Sequence, residues 1–227
     1  MDKHSISIVI PVYNEQIGIH FLLDCLDKID GSCEIIFVDG GSTDQTVEII
    51  DKRYTVVCSP KKGRANQMNY GASTAQGNIL FFLHADSLPP FDVLDHIYQI
   101  LNQGYKAGCF RIRFDSKNPL MWICGFLSNL RVKMRNIAFG DQGIFLEKDY
   151  FEKLGGFCPI PLMEDYQLSI DIKKDGQNIG LASGTLITSE RRFQKNGRLK
   201  TMLLMQKLQY MFRKGASIQE IAEQYNK

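Results

Sequence analysis

Four carboxylates and a group of cations stand where chemistry on an anionic, hydroxyl-rich substrate needs them. Asp39 follows an apolar run at 33–38, and Gly40 and Gly41 let a ligand approach the backbone closely before a helix opens. A carboxylate there accepts from a base N–H or from ribose hydroxyls. In the same VDGGSTD segment, Ser42 followed by Gln45 also fits a capping box, so Ser42 and Asp44 are candidates both for ligand contact and for starting a helix. Pro11, Tyr13 and Glu15 follow the first apolar run; Tyr13 offers a face for a flat base and Glu15 an acceptor, against the plainer reading of a strand exit. Lys61, Lys62 and Arg64 surround Gly63 at an expected helix N-terminus, where backbone donors and cations favour a diphosphate. His84, Ala85 and Asp86 close a fully apolar run, which suits a divalent cation bound through carboxylate oxygen; the rival is a turn former ahead of Pro89 and Pro90.

Glu164 and Asp165 open an expected helix after the Gly- and Pro-rich GGFCPIPLM segment, where the helix dipole also favours acids. Neighbouring helical residues point apart, so at most one is catalytic, and spacing leaves open which. Arg191 and Arg192 follow a strand-like stretch at 179–189; if the strand continues they face opposite sides, and one of them reaches the site. His4, His20 and His96 have no partner at useful spacing and are read as surface or core residues.

The elements that must position these groups are legible from hydrophobic period. Runs at 5–12, 33–38, 54–58 and 79–83 read as strands buried on both faces, and 15–29, 43–52 and 64–75 suit helices between them. Repeated strand and helix predicts a parallel sheet, whose ligands sit outside the carboxyl ends of the strands. After Asp86 the pattern is mixed: helices at 91–103 and 119–130, strands at 107–114 and 143–147. With no repeat or linker, residues 1–227 are expected to form one domain, with one lobe at 1–105 and a second lobe with C-terminal helices at 106–227.

Composition narrows the classes. A hydrophobic content of 44% supports a core without disulfides or metal staples, and a net charge of +2 argues against a nucleic-acid partner. Six scattered cysteines read as reduced thiols in a cytoplasmic protein, and no apolar run reaches the roughly 18 residues of a membrane span. No GxGxxG, P-loop, HExxH or GxSxG pattern is present.

Taken in order, PVYNE, VDGGSTD, GRANQMN, LHAD, GDQGIF, GGF, LMED and SERRF resemble the motif series of family 2 glycosyltransferases over roughly residues 5–197. The resemblance implies a GT-A fold: a Rossmann-like, mostly parallel α/β sheet flanked by helices, with a mixed acceptor-side lobe. It also implies a nucleotide-diphosphate sugar donor, UDP by family habit, Mg2+ or Mn2+, and inversion at the anomeric carbon. Residue by residue, it assigns Asp86 to the metal and Asp165 to the role of base. It places Gly63, Arg64, Asn69, Ala85 and Arg192 beside the donor with Pro11, Tyr13, Glu15, Asp39, Ser42 and Asp44. Two positions depart: His84 replaces the first Asp of DxD, and Gly40 replaces the second Asp of the usual VDDGSTD. The HAD, GDQGIF and IPLMEDYQLS variants resemble a bacterial subgroup associated with arsenosugar biosynthesis.

Two rivals remain at this point. A sugar-phosphate nucleotidyltransferase would release pyrophosphate, and a non-catalytic nucleotide-sugar-binding protein would turn over no donor. Separately, the eight basic residues from Arg191 to Lys214, with no acid among them, are read in two ways. Either Leu204, Leu208, Met211 and Phe212 make an amphipathic helix on an anionic membrane or at a lipid-linked acceptor, with the Met121-Trp122-Ile123 region as second contact, or that helix packs on its own core.

Overall fold

Along β1 (Ile6–Val12) alternate side chains feed different cores: Ile6, Ile8, Ile10 and Val12 join one buried cluster and Val9 the other. This alternation sets a sheet with helices on both faces. The computed structural model describes residues 5–226, so His4 lies outside the described residues. From β1 the chain runs through α1 (Ile19–Leu26), β2 (Glu34–Asp39), α2 (Thr46–Ile50), β3 (Thr55–Cys58), α3 (Arg64–Thr74) and β4 (Ile79–Phe82). These four strands are parallel, in the order β3-β2-β1-β4.

Next come β5 (Ser87–Leu88), α4 (Val93–Asn102), β6 (Ala107–Phe114), α5 (Pro119–Arg135), a 3-10 turn at Gly140–Gln142 and β7 (Ile144–Glu147). They are followed by α6 (Lys148–Lys153), α7 (Glu164–Lys174), β8 (Ile179–Thr188), α8 (Arg191–Asn196), α9 (Arg198–Arg213) and α10 (Ile218–Asn226). β7 pairs antiparallel to β4, and the single eight-stranded sheet continues β7-β6-β8-β5, so the later half is mixed as its irregular pattern predicts.

Several expectations need correction. The strand at 54–58 is not buried on both faces, because β3 is an edge strand whose residues are exposed or half-buried. The helix at 15–29 shortens to α1, because the chain after Val12 is held in a loop by the next segment. The apolar helix at 119–130 extends to Arg135, where Asn136 in the left-handed conformation (φ 57°) ends it. β8 stops at Thr188 and a new helix begins at Arg191, so the two arginines are not strand neighbours.

Two contacts draw α3 onto the sheet. Gly71 lies so close that a Cβ would fall 2.4 Å from Val9 Cγ1 and 2.8 Å from Val38 Cγ2. Four residues earlier, the buried Gln67 amide donates to Val12 O at 2.9 Å and Val38 O at 2.7 Å, tying together the carboxyl ends of β1 and β2. Overpacking at such a site costs roughly 1–3 kcal/mol. Gly71→Ala is therefore expected to lower stability by about that amount in urea unfolding; an unchanged midpoint would contradict the close approach of α3.

Candidate active site

The loops after β1 and β2 are zipped to each other by side chains of both motifs. Ser42 Oγ accepts from Asn14 N at 3.0 Å, Asn14 Oδ1 accepts from Thr43 N at 2.9 Å, and Asp44 Oδ2 accepts from Gln16 N at 3.2 Å. Thr46 Oγ1 accepts from Glu15 N at 2.8 Å. The capping box expected of Ser42 and Gln45 does not form: α2 starts at Thr46, and Asp44 Oδ1 accepts from Thr46 N at 3.0 Å. Ser42 is drawn away to the Asn14 backbone. Asp39 is 3% exposed and its carboxylate accepts from Gly41 N and Ser42 N, so it shapes its own loop. Pro11 is buried in β1, whereas Tyr13 stands 54% exposed and open to stacking. The glycine at 40 has a local cause: a Cβ there would lie 3.0 Å from the Gln67 amide that bridges β1 and β2.

A second set of groups converges where α3, α7 and the 3-10 turn meet β4. Gly63, with φ 106°, precedes Arg64 at the first position of α3, and Arg64 Nε donates to Glu164 Oε1. Met163 in the left-handed conformation (φ 67°) turns the chain into α7, where Glu164 and Asp165 are 1% and 5% exposed. Asp165 Oδ2 accepts from Gly140 N at 2.7 Å and Oδ1 from Tyr166 N at 2.7 Å. Gly140 is required there, since a Cβ would stand 2.4 Å from His84 Nε2.

Charge and burial set the protonation of this cluster. Burial, then the neighbouring Asp165, pushes the Glu164 carboxyl up, partly offset by Arg64. Burial raises Asp141 to about 6 despite Arg131 beside it, with Asp165 and Asp86 adding to the rise. Burial and then Glu15 raise Asp86. His84 is held well below its ordinary value by burial and then by Arg64, so its imidazole is neutral. His84 Nε2, Asp141 Oδ1 and Glu164 Oε2 are buried without a hydrogen-bond partner.

Arg64, His84, Asp141 and Asp165 line one part of a cavity of about 510 Å³, and Arg192 lines it too. The two arginines take different partners: Arg191 binds Glu15 Oε2 at 3.0 Å, while Arg192 lies 3.5 Å over the Tyr225 ring with its Nε buried and unpartnered. Asn69 is committed elsewhere, exchanging hydrogen bonds with Phe157 N and O and so holding the GGF loop. Ala85 is half-buried between His84 and Asp86. Spacing gave no warning of Gln67, Arg131, Gly140 or Asp141; the last two sit in GDQGIF, whose glycine and acid were visible but had no predicted partner. His96 on α4, read as having no partner, meets Asp92 just before that helix and Ser183 on β8.

Asp86 suits a divalent cation that arrives with a diphosphate. Among the described residues no three His, Cys, Asp or Glu side chains form a cage for a metal. Mg2+, however, is commonly held by one or two carboxylates plus substrate phosphates, and the Asp86 carboxylate is a donor of that kind, while Glu15, which raises it, is itself bound to Arg191.

Comparisons with known proteins bear on the family and the fold. A family model described as Glycosyl transferase family 2 matches residues 7–155. An uncharacterized glycosyltransferase of Haemophilus influenzae is 34% identical over 113 residues, which is 46% of this chain and 45% of that protein. The undecaprenyl-phosphate 4-deoxy-4-formamido-L-arabinose transferase of Pseudomonas syringae is 27% identical over 154 residues, 62% of this chain and 46% of that one. The chain thus spans under half the length of these curated relatives. Among solved structures, S. aureus TarS 1-349 with UDP-GlcNAc superposes with a TM-score of 0.67 at 17% identity, covering 82% of this chain and 59% of that one. The mannosyltransferase PcManGT of Pyrobaculum calidifontis with GDP-Man and Mn2+ gives 0.63 at 22% identity, covering 80% and 56%. These superpositions show a GT-A fold, and with a family model that spans β1 to the GGF loop, the chain belongs to glycosyl transferase family 2.

Proposed function

We propose that the protein transfers a glycosyl group, with inversion, from a nucleoside diphosphate sugar of the UDP type to an acceptor hydroxyl, with Asp165 as general base. The observation that carries this reading is the buried Asp165 carboxylate, aligned by Gly140 and Tyr166 N–H groups, in the same cavity as the guanidinium groups of Arg64 and Arg192. The acceptor oxygen attacks the anomeric carbon while its proton passes to Asp165. The bond from that carbon to the diphosphate breaks on the opposite face, and the nucleoside diphosphate leaves with the electron pair.

Arg192 feels Arg64 nearby, and two cations near one another are best reconciled by an anion between them. A departing diphosphate is such an anion, and its growing charge is stabilised in proportion as water is excluded. Asp86 would hold Mg2+ or Mn2+ against the diphosphate, and the cation supplies Lewis-acid charge neutralisation there. Tyr13, Glu15 and Asp39, on the locked loops, face the nucleoside in this scheme, with Pro11, Ser42 and Asp44 supporting them. Gly63 and Ala85 let the donor come close to the backbone. Asn69 acts through the GGF loop.

The reading takes residues 1–105 as the donor lobe and the remainder as the acceptor lobe of one domain working in the cytoplasm, where such donors are made. The HAD, GDQGIF and IPLMEDYQLS variants support a place in the subgroup associated with arsenosugar biosynthesis.

Asp165→Asn retains an acceptor for Gly140 N–H and should fold. Removing a general base costs about 10²–10⁴ in rate. Donor hydrolysis and transfer are expected to fall by that order while nucleotide affinity, read by calorimetry, stays within about threefold; undiminished turnover would remove Asp165 as base.

Asp141 gives a pH signature. A carboxyl raised from 3.8 to about 6 on folding favours the folded state at acid pH and loses that contribution as pH rises through about 6. Asp141→Asn is expected to flatten the stability profile between about pH 4 and 6 and to unfold at higher temperature than wild type near neutrality. Parallel melting profiles for the two proteins would contradict the burial of this charge.

A further inference from the structure

Of the 17 residues in α5, the buried ones are Met121, Gly125 and Val132, yet the helix is apolar along most of its length. Trp122, Ile123, Phe126, Leu127 and Met134 stand exposed. Ile123, Leu127, Leu130 and Met134 recur at i, i+4, i+7 and i+11, which makes one stripe along the helix. α9, in contact with α5, shows a similar division. Leu204, Leu208, Met211 and Phe212 pack with α7 and α10, so of the two readings of this face the helix packed on its own core is the one observed. A different face, with Leu199, Leu203 and Tyr210, is exposed.

The two exposed stripes meet at the mouth of the cavity that holds Asp165. Leu127, Leu130 and Met134 of α5 and Leu199, Met202 and Leu203 of α9 line it. A polar acceptor would leave its hydroxyls unsatisfied against such walls, whereas a hydrocarbon is stabilised there. Charge points the same way. No acidic residue occurs from Ser116 to Gly140 or from Arg191 to Lys214, while Lys117, Lys133, Arg135, Lys195 and Lys200 lie within those segments. An apolar patch framed by cations matches the boundary of an anionic bilayer.

We infer that the acceptor is an amphipathic lipid: its hydrocarbon part occupies this cavity, its hydroxyl reaches Asp165, and it is taken up from an anionic bilayer on which α5 and α9 rest. The inference rests on the transferase reading of the Asp165 end. No helix among the described residues is long and apolar enough to cross a membrane, so contact is by these exposed faces.

Trp122 is the chain's one tryptophan, and it lies 76% exposed on the docking face, so its emission reports insertion directly. With vesicles of phosphatidylglycerol and phosphatidylcholine the emission is expected to shift to the blue, with binding about tenfold or more tighter than to phosphatidylcholine alone. The Ile123→Glu/Phe126→Glu double variant, changed at two exposed positions outside the cavity, should lose the shift and keep donor hydrolysis. By calorimetry, dodecyl maltoside below its micelle concentration should bind about tenfold or more tighter than maltose, and Leu203→Glu at the cavity mouth should erase the difference. Unshifted Trp122 emission at saturating vesicles, or equal affinity for dodecyl maltoside and maltose, would overturn the proposal. Donor hydrolysis in the same samples separates this failure from failure of the transferase reading, since it persists in the first case and is absent in the second.

Discussion

The hydrogen bond from Gly140 N–H to Asp165 Oδ2, at 2.7 Å, joins the two halves of the site. It fastens the first turn of α7 to the segment between α5 and β7, and Ser169 one turn later repeats the attachment through Ala138 N and O. Because the donor is a backbone group, the tie is available only if residue 140 lies close to both Asp165 and His84, which only a glycine allows. This contact, with the Tyr166 N–H, sets the orientation of the Asp165 carboxylate. A carboxylate fixed by two backbone donors loses little freedom on binding, and in the proposed reading it would meet an acceptor hydroxyl already oriented.

The electrostatic balance of the cluster is the second constraint. Glu164, Asp165 and Asp141 share few cations: Arg64 is drawn to Glu164, and Arg131 donates to Gln142 while stacking on Phe139. Burial therefore holds Asp141 and Glu164 above their usual carboxylate range. On the other side Arg192 keeps an unpartnered Nε, its ring partner Tyr225 offering no acceptor oxygen on its face. A site with restrained acids at one end and an under-paired guanidinium near it is arranged for an anion that leaves and a proton that moves.

Local signals reached the parallel half of the sheet well, since strands β1, β2 and β4 are continuous apolar runs and their exits carry the motifs. β3 misled because an edge strand and a central one share a β-branched composition, and burial is decided by neighbours that a short run does not encode. Ser42 misled for a similar reason: a capping box is a local pattern, and a backbone N–H from Asn14, 28 residues away, captured its hydroxyl. The roles of Gln67, Gly140 and Asp141 depend on which segments the fold brings together, so no spacing rule pointed to them. The directions taken by Arg191 and Arg192 depend on where β8 ends, and element ends are where periodicity is weakest.

The most direct measurement is the stereochemistry of a single turnover. A nucleotide sugar of known anomeric configuration, incubated with the protein and Mg2+ or Mn2+ and followed by NMR before mutarotation, should yield product of the opposite configuration if, as proposed, Asp165 activates the incoming hydroxyl on the face away from the diphosphate. Product of unchanged configuration would contradict the role assigned to Asp165.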